Sequence, residues 1–518
     1  MNKSTNKGKF SRRDFFATTA ALGMATVVPR SVLGKGFVPP SDKISMLNVG
    51  CGYQGLSEIG ALLRCPHIEI VGVADPNRHT NDYIGWGANG MRDSLRRLIN
   101  EPNWLGNNFR GNPGGRDVMK HVVETYYRKN RQNWNGAIES HEDYRELLTK
   151  MRDVDSVKII PCDHLHSYIS VDCFKRGKHQ IMHKPLGNKL HEAMKVVDMA
   201  AAQQNISTHL LAYNSSSQNG INQAKAWLDA GAIGKLKEIH NWSNRPVWPQ
   251  YPEIPTEKPP IPDGFNWDLW LGPSQMRDFS PKYTHCCFRG WFEFGGGSIA
   301  DMGIYSMIPI FNGLGLGSAI SASSRFSRVV KCNDDLVPSQ VLNTWSYPDA
   351  SAFRFEIPYK NGSGTIFFTW HDGGMKPQIP DGYQDDDLPI QGMMFLGEKG
   401  AIVGGFYMQD PKLVGVSPAD EKRYADIKAD PLPNQSEMVS EGTPRWMHDW
   451  IANIKEGKKN PGAFEFTREI TETYNLGAVS LQRNGRKLLY DPAARTVTND
   501  AVGNKLLHRD TRKGWEFV

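Results

Sequence analysis

The stretch QIMHKPLGN, residues 180–188, sets Lys184 between His183 and Pro185 directly after a short apolar run. A lysine ammonium is a compact donor that stabilises a developing oxyanion in a crevice. An imidazole changes charge near physiological pH and so can carry a proton. A second group, Gly50-x-Gly52-x-x-Gly55 followed by Asp75, has the spacing of a dinucleotide fingerprint. There Gly50 admits a tight turn, Gly52 lets the backbone approach a pyrophosphate, and Gly55 lets a helix pack closely on a strand. The helix that follows offers its free N–H groups to the anion. Asp75 is placed for the adenosine ribose hydroxyls and favours NAD, while Arg78 nearby keeps NADP open. A third group, Asp163, His164 and His166 in DHLH, brings too few convergent ligands from one short segment for a metal, so no metal site is expected.

These residues need alternating strands and helices to hold them. ISMLNV and IEIVGVA read as strands around a helix that opens at the glycines. A polar stretch over about 79–138, rich in Asn, Arg, Gly and Trp, then interrupts the alternation as an insertion. It resumes with helical SHEDYRELLTK, strand VDSVKIIPC, helical HLHSYISVDCFKRG, strand HQIMHKP, helical NKLHEAMKVVDMAAAQQ and strand STHLLAYN. This predicts a doubly wound α/β domain over 43–214, binding its ligand beyond the carboxyl ends of the strands, where Asp163, His164 and Lys184 stand. Over 215–518, LKEIHNWSN, SASSRFSRVVK, ASAFRFEIP and GTIFFTW alternate between Gly, Pro and Asn clusters and predict a second, strand-rich domain.

The 518 residues are 39% hydrophobic and 22% charged, an ordinary globular balance that suits two or three domains. The net charge of +6 is scattered, so no nucleic-acid partner is expected. Seven cysteines show no CxxC pair and no disulfide framework. At the N-terminus, Arg12 and Arg13 precede Phe15, Phe16 and an apolar stretch from Ala17 to Val28 that is too short to span a bilayer. Residues 1–34 look like a twin-arginine signal, which exports proteins already folded. That predicts a periplasmic protein without a stable membrane anchor.

The GCGYQG loop, VADPN, VDSVKIIPCDHLH, GKHQIMHKPLG and GAIGKLKEI together resemble the Gfo/Idh/MocA family of NAD(P)-dependent sugar oxidoreductases. FNWDLWLGP, FRGWFEFGGGSIADMG, FTWHDGGMKP and HRDTRKGWEF resemble its long exported members. The resemblance implies an N-terminal Rossmann domain and a C-terminal α+β domain with a large, mostly antiparallel open sheet, in a chain that forms homo-oligomers. It implies cofactor contacts from Gly50, Gly52, Tyr53, Gln54, Gly55, Asp75, Asn77, Arg78, Asp163, His164, His166 and Lys184. It also implies hydride transfer between a sugar hydroxyl and the nicotinamide while a side chain takes the hydroxyl proton.

Lys184 occupies the lysine of the family's Glu-Lys-Pro motif, with His183 where glutamate is usual. Asp301 and Tyr305 occupy a helical Asp and His pair, with tyrosine in place of the usual base. Tyrosine titrates near ~10, and a neighbouring cation would lower that toward a useful value. His183 either takes over the base role or is turned away and satisfied by hydrogen bonds. Pro161 and Cys162 depart from the family's Thr-Pro. Tyr213, Asn214, His285 and Arg289 are candidate sugar contacts, and Trp267 and Trp270 either stack on a sugar or fill core.

The reading these features favour is an exported nicotinamide-dependent oxidoreductase acting on a hydroxyl or keto group of a sugar, glycoside or cyclitol. A first alternative is an NAD-dependent glycoside hydrolase working by transient oxidation and elimination. A second is a non-catalytic carbohydrate-binding relative.

Overall fold

The apolar runs on either side of the glycine turn become the centre of a parallel sheet. The computed structural model describes residues 42–517, apart from 132, 328–330, 333–335, 340–342, 360–363 and 441. The expected export signal, 1–34, lies outside the described residues.

Six strands, β1 (Ile44–Val49), β2 (Ile68–Ala74), β3 (Glu139–His141), β4 (Ser156–Ile159), β5 (His179–Met182) and β6 (Thr208–Leu210), pair in parallel in the order β3-β2-β1-β4-β5-β6. The order reverses between β1 and β4, and ligands of open α/β sheets bind in the crevice at that switch point. Gly50 follows β1, Pro161 and Cys162 follow β4, and His183 and Lys184 follow β5, so three loops meet there.

The polar insertion is more ordered than its composition predicts. Helices α2 (Gly90–Ile99) and α3 (Arg116–Asn130) follow α1 (Tyr53–Arg64). Met91, Leu95, Ile99, Val118, Met119, Val122, Val123 and Tyr127 bury themselves against β1, β2 and α1. An apolar stripe three or four residues apart on α3 was hidden among its charges. α3 serves as the crossover between β2 and β3, so only the segment before it departs from the doubly wound plan.

The second layer is a nine-stranded sheet. Its centre is β7 (Leu236–Trp242), β8 (Ser321–Ser327), β9 (Ala350–Pro358), β10 (Thr365–His371) and β11 (Gly392–Gly397). β7 and β10 pair in parallel and the other central pairs are antiparallel. Along β9, Phe353, Phe355 and Ile357 point into the core while Arg354 and Glu356 alternate outward, the period of two that the sequence carries. The expected α/β class and the mostly antiparallel second sheet are both present.

Part of the chain beyond residue 214 packs back on the first sheet. Met447, Trp450 and Ile451, on a helix over Arg445–Glu456, join the core beside Ile44, Leu56 and Ile59. Ile44–Val518 pack as one unit. Among the described residues no helix is long and apolar enough to cross a membrane.

Candidate active site

A cavity of about 410 Å³ opens at the switch point. Its floor is the glycine turn. Gly50 has φ +101°, and a Cβ there would lie 2.5 Å from the Ile160 backbone, so no other residue fits. A Cβ on Gly55 would lie 2.6 Å from the Gly50 carbonyl oxygen, which is the close helix packing its position predicted. α1 begins with Gly52 as its cap, with no side-chain cap and no acid in its first turn. Its free N–H groups and dipole are thus left for an anion. Asp75 follows β2 and accepts the N–H groups of Cys51 (2.6 Å) and Asn77 (2.8 Å), fixing the loop. Burial raises its carboxyl pKa, opposed by those two N–H groups. These features fit a dinucleotide, and Gly50, Gly52, Tyr53, Gln54, Asp75 and Asn77 line the cavity that would hold it.

In the same cavity Lys184 pairs closely with Asp301, and the Arg289 Nε donates to the same carboxylate at 3.0 Å. Asp301 sits on a π-turn, Ile299–Gly303, that leads into helix Ile304–Leu314 and carries Tyr305 to the same cavity. Burial would raise the Asp301 pKa, but Lys184 and Arg289 outweigh it and hold the group at about 2. Tyr305 behaves opposite to expectation. Burial and the Asp301 carboxylate push its hydroxyl well above the ordinary range. Lys184 Nζ stands 5.3 Å from the centre of its ring rather than beside the hydroxyl. Tyr305 is therefore a proton donor here, not a ready base.

His183 lines the cavity and is not turned away. Its Nε2 lies 3.4 Å from the Glu58 carboxylate of α1, and Glu58 also pairs with Lys158 at 2.8 Å. Burial lowers the His183 pKa, with Glu58 opposing, so the ring is neutral and able to accept a proton. The sequence reading missed Glu58 and Lys158. The signal was a lysine in the apolar strand SVKI, 1% exposed, where both faces are covered and a charge requires a partner.

The DHLH residues go to three different partners. Asp163 faces the cavity and accepts the Gly296 N–H at 3.0 Å. Burial raises its pKa to about 6 against the pull of Arg289 and Lys184. The His166 Nδ1 lies 2.6 Å from the Pro185 carbonyl oxygen, bracing the Lys184 turn, and the ring touches the cavity. His164 is excluded from it and holds the Trp270 carbonyl at 2.9 Å, so it braces structure rather than touching cofactor.

Other expectations need correction. Arg78 lies outside the cavity lining, 3.5 Å from Asp117 and 4.0 Å from Asp263. Tyr213 packs edge-on to His209, and Asn214 caps the turn at Ser215–Ser217, both outside the cavity. β6 is the edge strand of the sheet, three places from β1. His285 and Arg289 do line the cavity. Trp267 stacks on Trp270 at 4.7 Å in an aromatic cluster, and of the two only Trp270 touches the cavity.

The insertion supplies Tyr83, Ile84 and Trp86 as a third wall, which composition alone did not indicate. The C-terminal HRDTRKGWEF holds the Lys184 loop from behind. Arg509 donates to Glu192 (2.7 Å), Asn188 (2.7 Å) and Glu293 (3.1 Å).

The cavity thus lies at the switch point of a Rossmann-type sheet whose glycine turn can cradle a dinucleotide, and segments of the second half of the chain complete its lining. Residues 119–210 match the NAD-binding Rossmann fold of the Gfo/Idh/MocA oxidoreductase family, and residues 235–323 match its C-terminal alpha/beta domain.

A levoglucosan dehydrogenase of Pseudarthrobacter phenanthrenivorans is 30% identical over 119 residues, which is 22% of this chain and 30% of that protein. Among solved structures, levoglucosan dehydrogenase in complex with NADH and levoglucosan is 15% identical with a TM-score of 0.45, covering 85% of this chain and 98% of that one. The WlbA dehydrogenase from Bordetella pertussis in complex with NADH and UDP-GlcNAcA is 12% identical with a TM-score of 0.49, covering 87% and 99%.

Proposed function

We propose that this protein oxidises a hydroxyl, or reduces the matching ketone, of a sugar, glycoside or cyclitol, and that it works in the periplasm with NAD. The observation that carries the reading is the Lys184–Asp301–Arg289 cluster, which lines one cavity with His183, Tyr305 and the glycine turn. The nicotinamide, when bound, takes or returns the hydride. Lys184 donates to the reacting oxygen as that oxygen gathers negative charge, and Asp301 with Arg289 fixes the ammonium's position. His183 accepts the hydroxyl proton, and Glu58 stabilises the imidazolium that results. Tyr305, kept protonated, donates to a second sugar oxygen.

A redox-neutral glycoside hydrolase is the second reading. It needs one group for the hydroxyl proton and another for the proton beside the ketone, and His183 and Asp163 share this cavity as two such carriers. One preparation separates the readings. The protein is purified without added cofactor, tested by mass spectrometry for retained nicotinamide, and given glycosides and keto-sugars. Net NADH or NAD supports the dehydrogenase, and cleaved glycoside without net redox supports the hydrolase. Cofactor-free protein without turnover leaves the non-catalytic reading.

The twin-arginine stretch supports export, and an Arg12→Lys/Arg13→Lys variant should stay in the cytoplasm. Its appearance in the periplasm would end that part of the reading. A homo-oligomer is proposed with it, and a monomer by light scattering would refute it.

A further inference from the structure

The wall beside Arg289 carries more donors than the protein itself satisfies. Arg245 and Trp248, on the loop after β7, both line the cavity. The Arg245 Nε and the Trp248 Nε1 are buried and have no hydrogen-bond partner. Both groups only donate, so only an acceptor can satisfy them, and leaving them buried and unmet is unfavourable.

The charges of this wall are also unequal. Lys184 and Arg289 are answered by Asp301, with Asp163 near. Arg245 has no carboxylate within ion-pair distance among the described residues, and its guanidinium lies 4.6 Å from the Trp86 ring centre. Trp86 is 76% exposed at the cavity, an apolar ring presented to solvent. The Arg289 guanidinium carbon stands 5.6 Å from the Trp248 ring centre, which ties this corner to the Asp301 cluster.

We propose that Arg245 and Trp248 form an anion subsite, and that the substrate is an acidic sugar whose carboxylate or sulfate meets these donors while its ring lies against Trp86. This deepens the reading of the cavity as a sugar site and rests on it. A guanidinium gives an oxyanion two directed, charge-assisted hydrogen bonds, and the Trp248 indole N–H in the lining of the same cavity offers a further donor. A neutral sugar would leave the arginine without a counter-charge.

The test is calorimetric titration of the NADH-loaded protein with methyl glucoside and methyl galactoside, their 6-carboxylates and their 6-sulfates. The expected result is binding of a carboxylate or a sulfate about tenfold or more tighter than its neutral parent, the magnitude of a charge-assisted hydrogen bond. The tighter arm names the anion. Arg245→Gln should reduce the preference to within about threefold, and Trp248→Phe, which keeps the ring and loses the N–H, should reduce it partly. Equal binding of acidic and neutral sugars overturns the proposal. So does a roughly tenfold loss of NADH affinity in Arg245→Gln, which would assign the guanidinium to the cofactor's pyrophosphate. A protein that turns over neutral glycosides without preferring acids keeps the dehydrogenase reading and loses this subsite. A protein that binds neither NADH nor any sugar loses both.

Discussion

Asp301 answers two cations, Lys184 and Arg289, so removing one leaves the other paired and the cavity intact. Lys184→Ala should therefore lower kcat by about 10²–10³-fold, the scale of a lost oxyanion donor, while NADH affinity measured by fluorescence titration stays within about threefold. Turnover within a few-fold of the parent would defeat the assignment of Lys184. Glu58 gives a different prediction. Burial lowers the His183 pKa and Glu58 opposes it, so Glu58→Gln lowers it further. A base must be neutral, so the acid limb of the kcat/KM profile should move to lower pH. The same change strands Lys158 without a counter-charge and should destabilise the fold by about 3–5 kcal/mol in urea unfolding. Lys184 and His183 were legible because both are charge carriers at the end of an apolar strand. Glu58 was not, since it lies on an ordinary-looking helix and gains meaning only from the strands beside it.

At the scale of elements, the strand–turn–helix unit at Gly50 should tolerate little. Gly50→Ala places a Cβ against Ile160 at a φ of +101°, so the turn must shift. NADH affinity should fall about tenfold or more, and the melting temperature should drop with it. An alanine protein binding NADH as tightly as the parent would show that the turn does not cradle the cofactor. This unit was read from sequence because its constraints are local: glycine spacing, flanking apolar runs and a terminal acid. The helix Arg116–Asn130 was not, because its apolar stripe is diluted by charged neighbours, and only packing on β2 shows which residues face inward. The helix at Arg445–Glu456 escaped for another reason. Its sequence fits any layer, and nothing local records that it returns to the core of the first.

At the scale of the whole molecule, burial has set several titrations far from their usual range. It holds His164 and His371 at about 3 and His166 and His209 at about 4. Unfolded histidines bind protons near 6.5, so from there down to about pH 4 the unfolded chain holds more protons and acid favours unfolding. Asp163 and Asp372 act in the opposite sense, since burial raises them to about 6 and about 7 and the folded state binds their protons first. The four histidines outnumber the two aspartates by about two protons, so stability should fall by roughly 3 kcal/mol per pH unit near pH 5. Melting followed by circular dichroism at pH 7, 6, 5 and 4.5 should show a steady decline, and a flat or rising profile would contradict these burials.

The sequence by itself determined the doubly wound sheet, the dinucleotide cradle, the strand-rich second half, and Lys184, Asp301 and Tyr305 at the site. Each depends on periodicity, on short-range spacing or on motifs that resemble a family's. Tertiary structure alone decided that burial raises the Tyr305 hydroxyl pKa, that Arg78, His164, Tyr213 and Asn214 lie outside the cavity, that Glu58 stands beside His183, and that Arg245 and Trp248 line the cavity. Those outcomes depend on burial and on charges from segments far apart in the chain, and no local pattern of residues encodes them.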